Sequence, residues 1–242
     1  RRDYLRRKKV PQLRWMLAQV DALLRRRRLA GAPARTVLDL GCGRADLTLL
    51  LAARHPQLQL VGVDTNEASL ASARARAQAA GLPNVRFVRA DAAAVAAAPP
   101  AGLDLVVALH ACGGLSDVAL RLVGASVGAS ALVCTCCFNK HRPLGAGAAR
   151  WAVGDEEREL LCRMADSEQP LVSAPARRVV SNLRLGALRR ELAARAPAAE
   201  VELAVRTFPR EFSPQNTVLV AHVAERDVPP AAGAAQAADA SR

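Results

Sequence analysis

From Thr36 onward the chain alternates short apolar runs with helical stretches, and this alternation limits what it can fold into. The strand candidates are Thr36–Leu40, Leu58–Asp64, Val85–Arg89, Leu103–His110, Ala131–Thr135, Val201–Thr207 and Thr217–Val223. The first five are mostly continuous in apolar character and are linked by crossover stretches. That reads as a parallel sheet covered on both faces. Only Phe208–Asn216 separates the last two, and a parallel crossover needs about a dozen residues or more. The final strand must therefore run antiparallel to its predecessor. The expected architecture is α/β and Rossmann-like: a seven-stranded, mostly parallel sheet with an antiparallel last strand and helices on both faces.

Between the strands, Asp46–Arg54 is apolar on one side, Asn66–Ala80 ends at Gly81, and Ser116–Val123 opens on a Ser suited to cap it. Asp155–Ser167 and Asn182–Arg195 read as helices within the less legible stretch 139–200. Ahead of the sheet, residues 4–30 place Leu13, Leu17, Val20 and Leu24 at helical spacing, with arginines on other faces. This divides the chain into a basic helical extension (1–35), a main domain (36–226) and an Ala/Pro tail (227–242) expected to be disordered. Residues 1–28 carry nine Arg and two Lys against Asp3 and Asp21, so most of the net charge of +12 belongs to that extension. Such a helix is suited to nucleic acid phosphates and equally to a solvated face. No apolar run is long enough to span a bilayer, and Arg1 to Lys9 is too charged for a secretory signal. A soluble, cytoplasmic location is the expectation.

The most informative local motif is Val37-Leu38-Asp39-Leu40-Gly41-Cys42-Gly43-Arg44-Ala45-Asp46, a buried strand entering a glycine turn and then a helix. Gly41 and Gly43 let the backbone approach a ligand closely. Asp46 stands where a dinucleotide fingerprint needs Gly and would repel a pyrophosphate. A phosphate-free nucleoside cofactor, S-adenosyl-L-methionine, avoids that conflict. Asp39 can hold its methionine end. Asp64 ends the second strand, where an acid accepts from ribose hydroxyls, and Asp91 ends the third, within reach of an adenine amino group. Cys42, Thr65, Ala92, Leu109 and His110 complete the expected cofactor pocket. Each acid alone would be an ordinary polar strand end, but three on successive strands fit one nucleoside site. With the terminal hairpin, the pattern is that of class I methyltransferases.

Strands four and five run into His110-Ala111-Cys112-Gly113-Gly114-Leu115-Ser116-Asp117 and Cys134-Thr135-Cys136-Cys137-Phe138. These segments resemble the methyltransferase domain of the glutathione S-transferase C-terminal domain-containing proteins and related methyltransferase-like proteins. More distantly they are similar to a tRNA 2′-O-methyltransferase family. The resemblance extends to Arg7-Lys8-Lys9, Leu160–Asp166 and Ser213–Asn216. It supports fold and cofactor better than substrate.

His110 is the candidate general base. Cys112, Cys136 and Cys137 are candidate catalytic or pocket-lining residues, while Cys134 and Cys162 suit core packing. A zinc site built from His110, Cys112, Cys134 and Cys136 is disfavoured. The ligand pairs lack the usual spacing of two to four residues, and a Cys-x-Cys-Cys strand points its thiols to opposite faces, so no metal is expected. Asn139 and Lys140 could bind an acidic acceptor or belong to a solvated loop. The leading expectation is a methyltransferase with RNA, tRNA-like, as acceptor. The alternatives are a non-catalytic module that binds cofactor or nucleic acid, and an enzyme acting on protein or a small molecule.

Overall fold

The computed structural model describes residues 2–126, 128–138 and 150–224. One turn (Arg2–Tyr4) and a π-helical stretch (Leu5–Lys9) lead into α1 (Val10–Leu29). The rest runs β1 (Thr36–Leu40), α2 (Asp46–Arg54), β2 (Gln59–Asp64), α3 (Glu67–Ala79), β3 (Val85–Arg89), α4 (Ala92–Ala97), β4 (Leu103–Ala111), α5 (Leu115–Ala125), β5 (Ser130–Thr135), α6 (Asp155–Ala165), α7 (Pro170–Arg195), β6 (Glu200–Thr207) and β7 (Thr217–Ala224). The seven strands form one sheet in the order β3-β2-β1-β4-β5-β7-β6. All pairs from β3 to β5 are parallel, and β7 is antiparallel to both neighbours.

Alternating strand residues supply two cores, one on each face. Val106, Ala108, Val133, Leu219 and Ala221 pack beneath α5 and α7, against Val118, Leu122, Leu188 and Leu192. Leu105, Val107, Leu132, Cys134, Val218 and Val220 face the other way, onto α2 and α1. The basic helix is thus part of the fold. Met16 and Val20 are fully buried, and Arg27 is buried on Asp104 and the Gly128 carbonyl. Among the described residues, no helix is long and apolar enough to cross a membrane.

Two local expectations need correction, and one element was unforeseen. Ser116 does not cap its helix. Gly114 holds the cap position, and the buried Ser116 hydroxyl donates instead to the Ala111 carbonyl at 2.8 Å. The helix predicted from Asn182 starts at Pro170. Pro170 occupies the first turn, where no N–H is needed, and Pro175 costs one bond inside a helix otherwise held by packing. The short α4 was not anticipated. Asp91 nucleates it by accepting the Ala93 N–H at 2.7 Å. The tail 227–242 lies outside the described residues.

Candidate active site

After β1 the backbone turns through Gly41 at φ +73° and Gly43 at φ +53°. The Gly41 and Cys42 amides both donate to the Val63 carbonyl, at 2.8 and 2.9 Å, which pins the turn to β2. A side chain at Gly41 would meet Leu115 Cδ2 at 2.9 Å as well as adopt the left-handed region. The bare backbone forms one wall of a cavity of about 460 Å³ at the C-terminal edge of the sheet. Gly41, Asp64, Thr65, Asp91, Ala92 and His110, all predicted, line it together with Cys112.

Asp64 is held for use. Its Oδ2 accepts the Gly43 N–H at 2.8 Å and its Oδ1 the Asn66 N–H at 2.8 Å. Two amides orient the carboxylate and leave lone pairs for a diol. Asp39 stands behind the turn, not in the cavity lining. It is buried, accepts the Thr48 hydroxyl at 2.5 Å, and burial pushes its pKa up to about 6 against the pull of that hydrogen bond. Cys42 turns away too, packing beside Phe87, Ala45 and Ala73, and burial raises its thiol pKa. Gly43 contributes through Asp64, and Leu109 packs into the core on the α1 face.

His110 interrupts β4. The register to β5 shifts between Leu109 and Ala111, and His110 sits at φ +71°. A left-handed L-residue costs about 1–2 kcal/mol, and such strain clusters at functional positions. The bulge turns the imidazole to the cavity rim, with its outer edge open to water. Protein crowding around its inner edge, and then the charge of Lys9, draw its pKa below the ordinary histidine value. It is therefore neutral, and able to accept a proton, at pH 7.

The thiols of Cys112, Cys136 and Cys137 lie within 4.8 Å of one another, with Cys136 and Cys137 sulfurs 3.9 Å apart. The set His110, Cys112, Cys134 and Cys136 does not assemble, since Cys134 packs into the core on the α1 face, but Cys112 does meet Cys136 and Cys137. β5 ends at Thr135, so strand alternation no longer governs the two residues that follow. Contact with Cys112 and burial hold the Cys136 thiol protonated, and burial pushes Cys137 up to about 11. A neutral thiol is a weak nucleophile, which counts against covalent catalysis here. Cys134 and Cys162 are buried core residues, as expected.

A buried network supports these loops, and sequence reasoning missed it. The Gly113 amide donates to the Cys137 carbonyl at 2.8 Å, joining the two motifs. Arg184, 1% exposed, donates to the Gly113 carbonyl at 2.8 Å and to Asp117 Oδ2 at 3.1 Å. Its guanidinium lies over Phe138 and Trp151, 5.5 and 5.1 Å from the ring centroids. The Trp151 indole donates to Asp117 at 2.8 Å. The Phe138 amide donates to both Asp166 oxygens at 3.0 Å. Asp117 and Asp166 sit inside or at the end of the segments that carried the family resemblance, which was the available signal. Asn139 and Lys140 lie outside the described residues.

A sheet of this order, with acids closing β2 and β3 around a glycine turn, defines a class I methyltransferase domain. A family model described as "Methyltransferase domain" matches residues 8–142, more than half of the chain, and the chain belongs to that family. Its cofactor is S-adenosyl-L-methionine. The residues present fit that group: an oriented Asp64, a side-chain-free wall at Gly41, and no phosphate required beside Asp46.

Among curated relatives, trans-aconitate 2-methyltransferase of Acidovorax sp. (strain JS42) is 35% identical over 152 residues, 62% of this chain and 56% of that protein. The glutathione S-transferase C-terminal domain-containing protein of Mus musculus is 26% identical over 195 residues, 78% of this chain and 30% of that one. The chain thus spans about half or less of these relatives. Among solved structures, TrmN from Thermus thermophilus has a TM-score of 0.45 at 21% identity, covering 85% of this chain and 47% of its own.

Proposed function

We propose that the domain methylates RNA at a group that must lose a proton, with His110 as the general base. The observation that carries this reading is the bulge at His110: strained backbone, the cavity rim, and an imidazole kept neutral. Bound S-adenosyl-L-methionine supplies a methyl group on an already activated sulfonium. Gly41, Asp64, Thr65, Asp91 and Ala92 would hold it, and the protein's remaining work is alignment and proton removal. A hydroxyl or ring nitrogen needs such a base. A carboxylate is an anion at pH 7 and needs none.

Two basic regions on the same sheet edge support a polyanionic acceptor. Lys9 pairs with Asp46 at the start of α2, and Arg6, Arg7 and Lys8, next to it in sequence, are exposed. Across the sheet, Arg177, Arg178 and Arg210 line a second cavity of about 550 Å³ at the β6–β7 turn. Thr217 of that turn pairs with Thr135, the residue before the thiol loop.

A second reading, a small polycarboxylate acceptor, is favoured by those same three arginines and by the name of the bacterial relatives. The experiment is transfer of labelled methyl groups to tRNA and to trans-aconitate, by wild type and His110→Gln, across pH 5–9. We expect RNA labelling that falls below the histidine pKa and drops about 10²–10⁴-fold in the variant. Labelling of trans-aconitate alone, insensitive to His110→Gln, would overturn the RNA reading in favour of the second.

A further inference from the structure

We propose that Cys112, Cys136 and Cys137 form a binding site for one thiophilic divalent ion, Zn²⁺ being the representative, set into the wall of the methyl-transfer cavity. Zinc–thiolate bonds are about 2.3 Å long, so two sulfurs on a tetrahedral ion stand about 3.8 Å apart. Cys136 and Cys137 already meet that spacing at 3.9 Å, and the whole triangle fits within 4.8 Å. Closure about an ion shortens the longest sulfur–sulfur distance by about 1 Å or less.

The backbone is held at two corners of the triangle, Cys112 and Cys137. Gly113 N–H to the Cys137 carbonyl joins the two loops, and Leu115 N–H to the Cys112 carbonyl, at 3.0 Å, closes the first of them. Asp166 holds the amide just after Cys137, and Arg184 holds the Gly113 carbonyl. Such outer contacts are what ligating side chains need in order to be preorganised. Thiolate ligands select zinc and other soft ions over magnesium or calcium.

Among the described residues, no further His, Cys, Asp or Glu joins the group. The three described thiols supply three of the four positions of a tetrahedral ion. Cys112 belongs both to the triangle and to the cavity lining, so the site borders the space where the acceptor reacts. Binding is a simple exchange: the ion enters, and each ligating thiol releases its proton to solvent, with no change of oxidation state.

The test is anaerobic titration of the reduced, metal-stripped protein with Co²⁺, followed by displacement with Zn²⁺. Neither cofactor nor acceptor is present, so the result is independent of the methyl-transfer reading. We expect one equivalent of Co²⁺ with a sulfur-to-metal charge-transfer band and tetrahedral visible absorption, both bleached by one equivalent of Zn²⁺. Cys112→Ser, Cys136→Ser and Cys137→Ser should each lose tight uptake, and Cys162→Ala should keep it. Circular dichroism on each variant separates loss of the site from loss of fold, and the wild-type spectrum stands on its own if a variant fails to fold. Absence of the charge-transfer band in wild type would overturn the proposal. So would uptake that survives all three serine substitutions in folded protein. Finding these thiols joined as a disulfide in protein isolated without reductant and lacking metal would replace the metal site with a redox pair.

Discussion

Asp117→Asn isolates the buried contact on which both reactive loops rest. The change keeps the side-chain volume but removes the charge that Arg184 faces at 3.1 Å, leaving a guanidinium only 1% exposed without its counter-ion. Breaking one partner of a buried pair costs about 3–5 kcal/mol. Arg184 retains the Gly113 carbonyl and two aromatic faces, so the lower end, about 3 kcal/mol, is expected. Arg184→Met removes the cation in turn and frees Asp117 from one of its partners, leaving it Trp151 and, at 3.8 Å, Arg150. If the two residues act as a pair, the double variant costs less than the sum of the singles by about 1.5–3 kcal/mol. Urea unfolding followed by far-ultraviolet circular dichroism measures all four proteins without relying on Trp151, which belongs to the network. Additivity within about 0.5 kcal/mol would refute the reasoning. It would mean that the Gly113 carbonyl and the rings carry Arg184 without the acid.

Other outcomes follow from the same geometry. Asp64→Ala should weaken cofactor binding by about 1.5–3 kcal/mol per lost charge-assisted bond, roughly 10- to 100-fold, read by calorimetry. Gly41→Ala forces an L-residue to φ +73° and into Leu115, and should destabilise by about 1–2 kcal/mol in the same urea assay. Asp39 has a folded pKa of about 6 against 3.8, so its contribution is fully present below pH 3.8 and is lost as pH rises through 6. Asp39→Asn should therefore gain about 2–3 kcal/mol on wild type between pH 4 and 7, and a flat difference across that window would contradict the assignment. Arg210→Ala should flatten the salt dependence of RNA binding by about one unit of slope, seen in filter binding at several salt concentrations.

The frame of the fold was legible because β1, β2, β4 and β5 are largely buried and read as mostly continuous apolar runs. The Phe208–Asn216 connection alone forced the antiparallel β7. Asp64 and Asp91 were legible as acids at strand ends. What escaped were matters of a residue or two. α4 is an alanine run with no amphipathic signal. Pro175 hid the first half of α7. The end of β5 at Thr135 decided whether three thiols diverge or converge. The left-handed His110 has no signature in sequence, because its conformation is imposed by pairing with β5. The Arg184 network joins residues 113, 117, 138, 151, 166 and 184 through tertiary contacts that no periodicity encodes.

The position of β7 sets the order in which the molecule can assemble as it is made. β5 pairs with β4 on one side at once, but its other edge stays open until Thr217–Ala224 has been synthesised. For those intervening residues, Val133 and Cys134 present an unpaired, wholly apolar strand edge, the kind that invites intermolecular pairing. β6 emerges first yet has no neighbour in the sheet until β7 threads between it and β5. Closure of the domain is thus a late, long-range event, which predicts slow folding and a need for chaperone protection of the nascent chain. Release of a chain shortened before Thr217 would leave the thiol-bearing strand permanently at an edge.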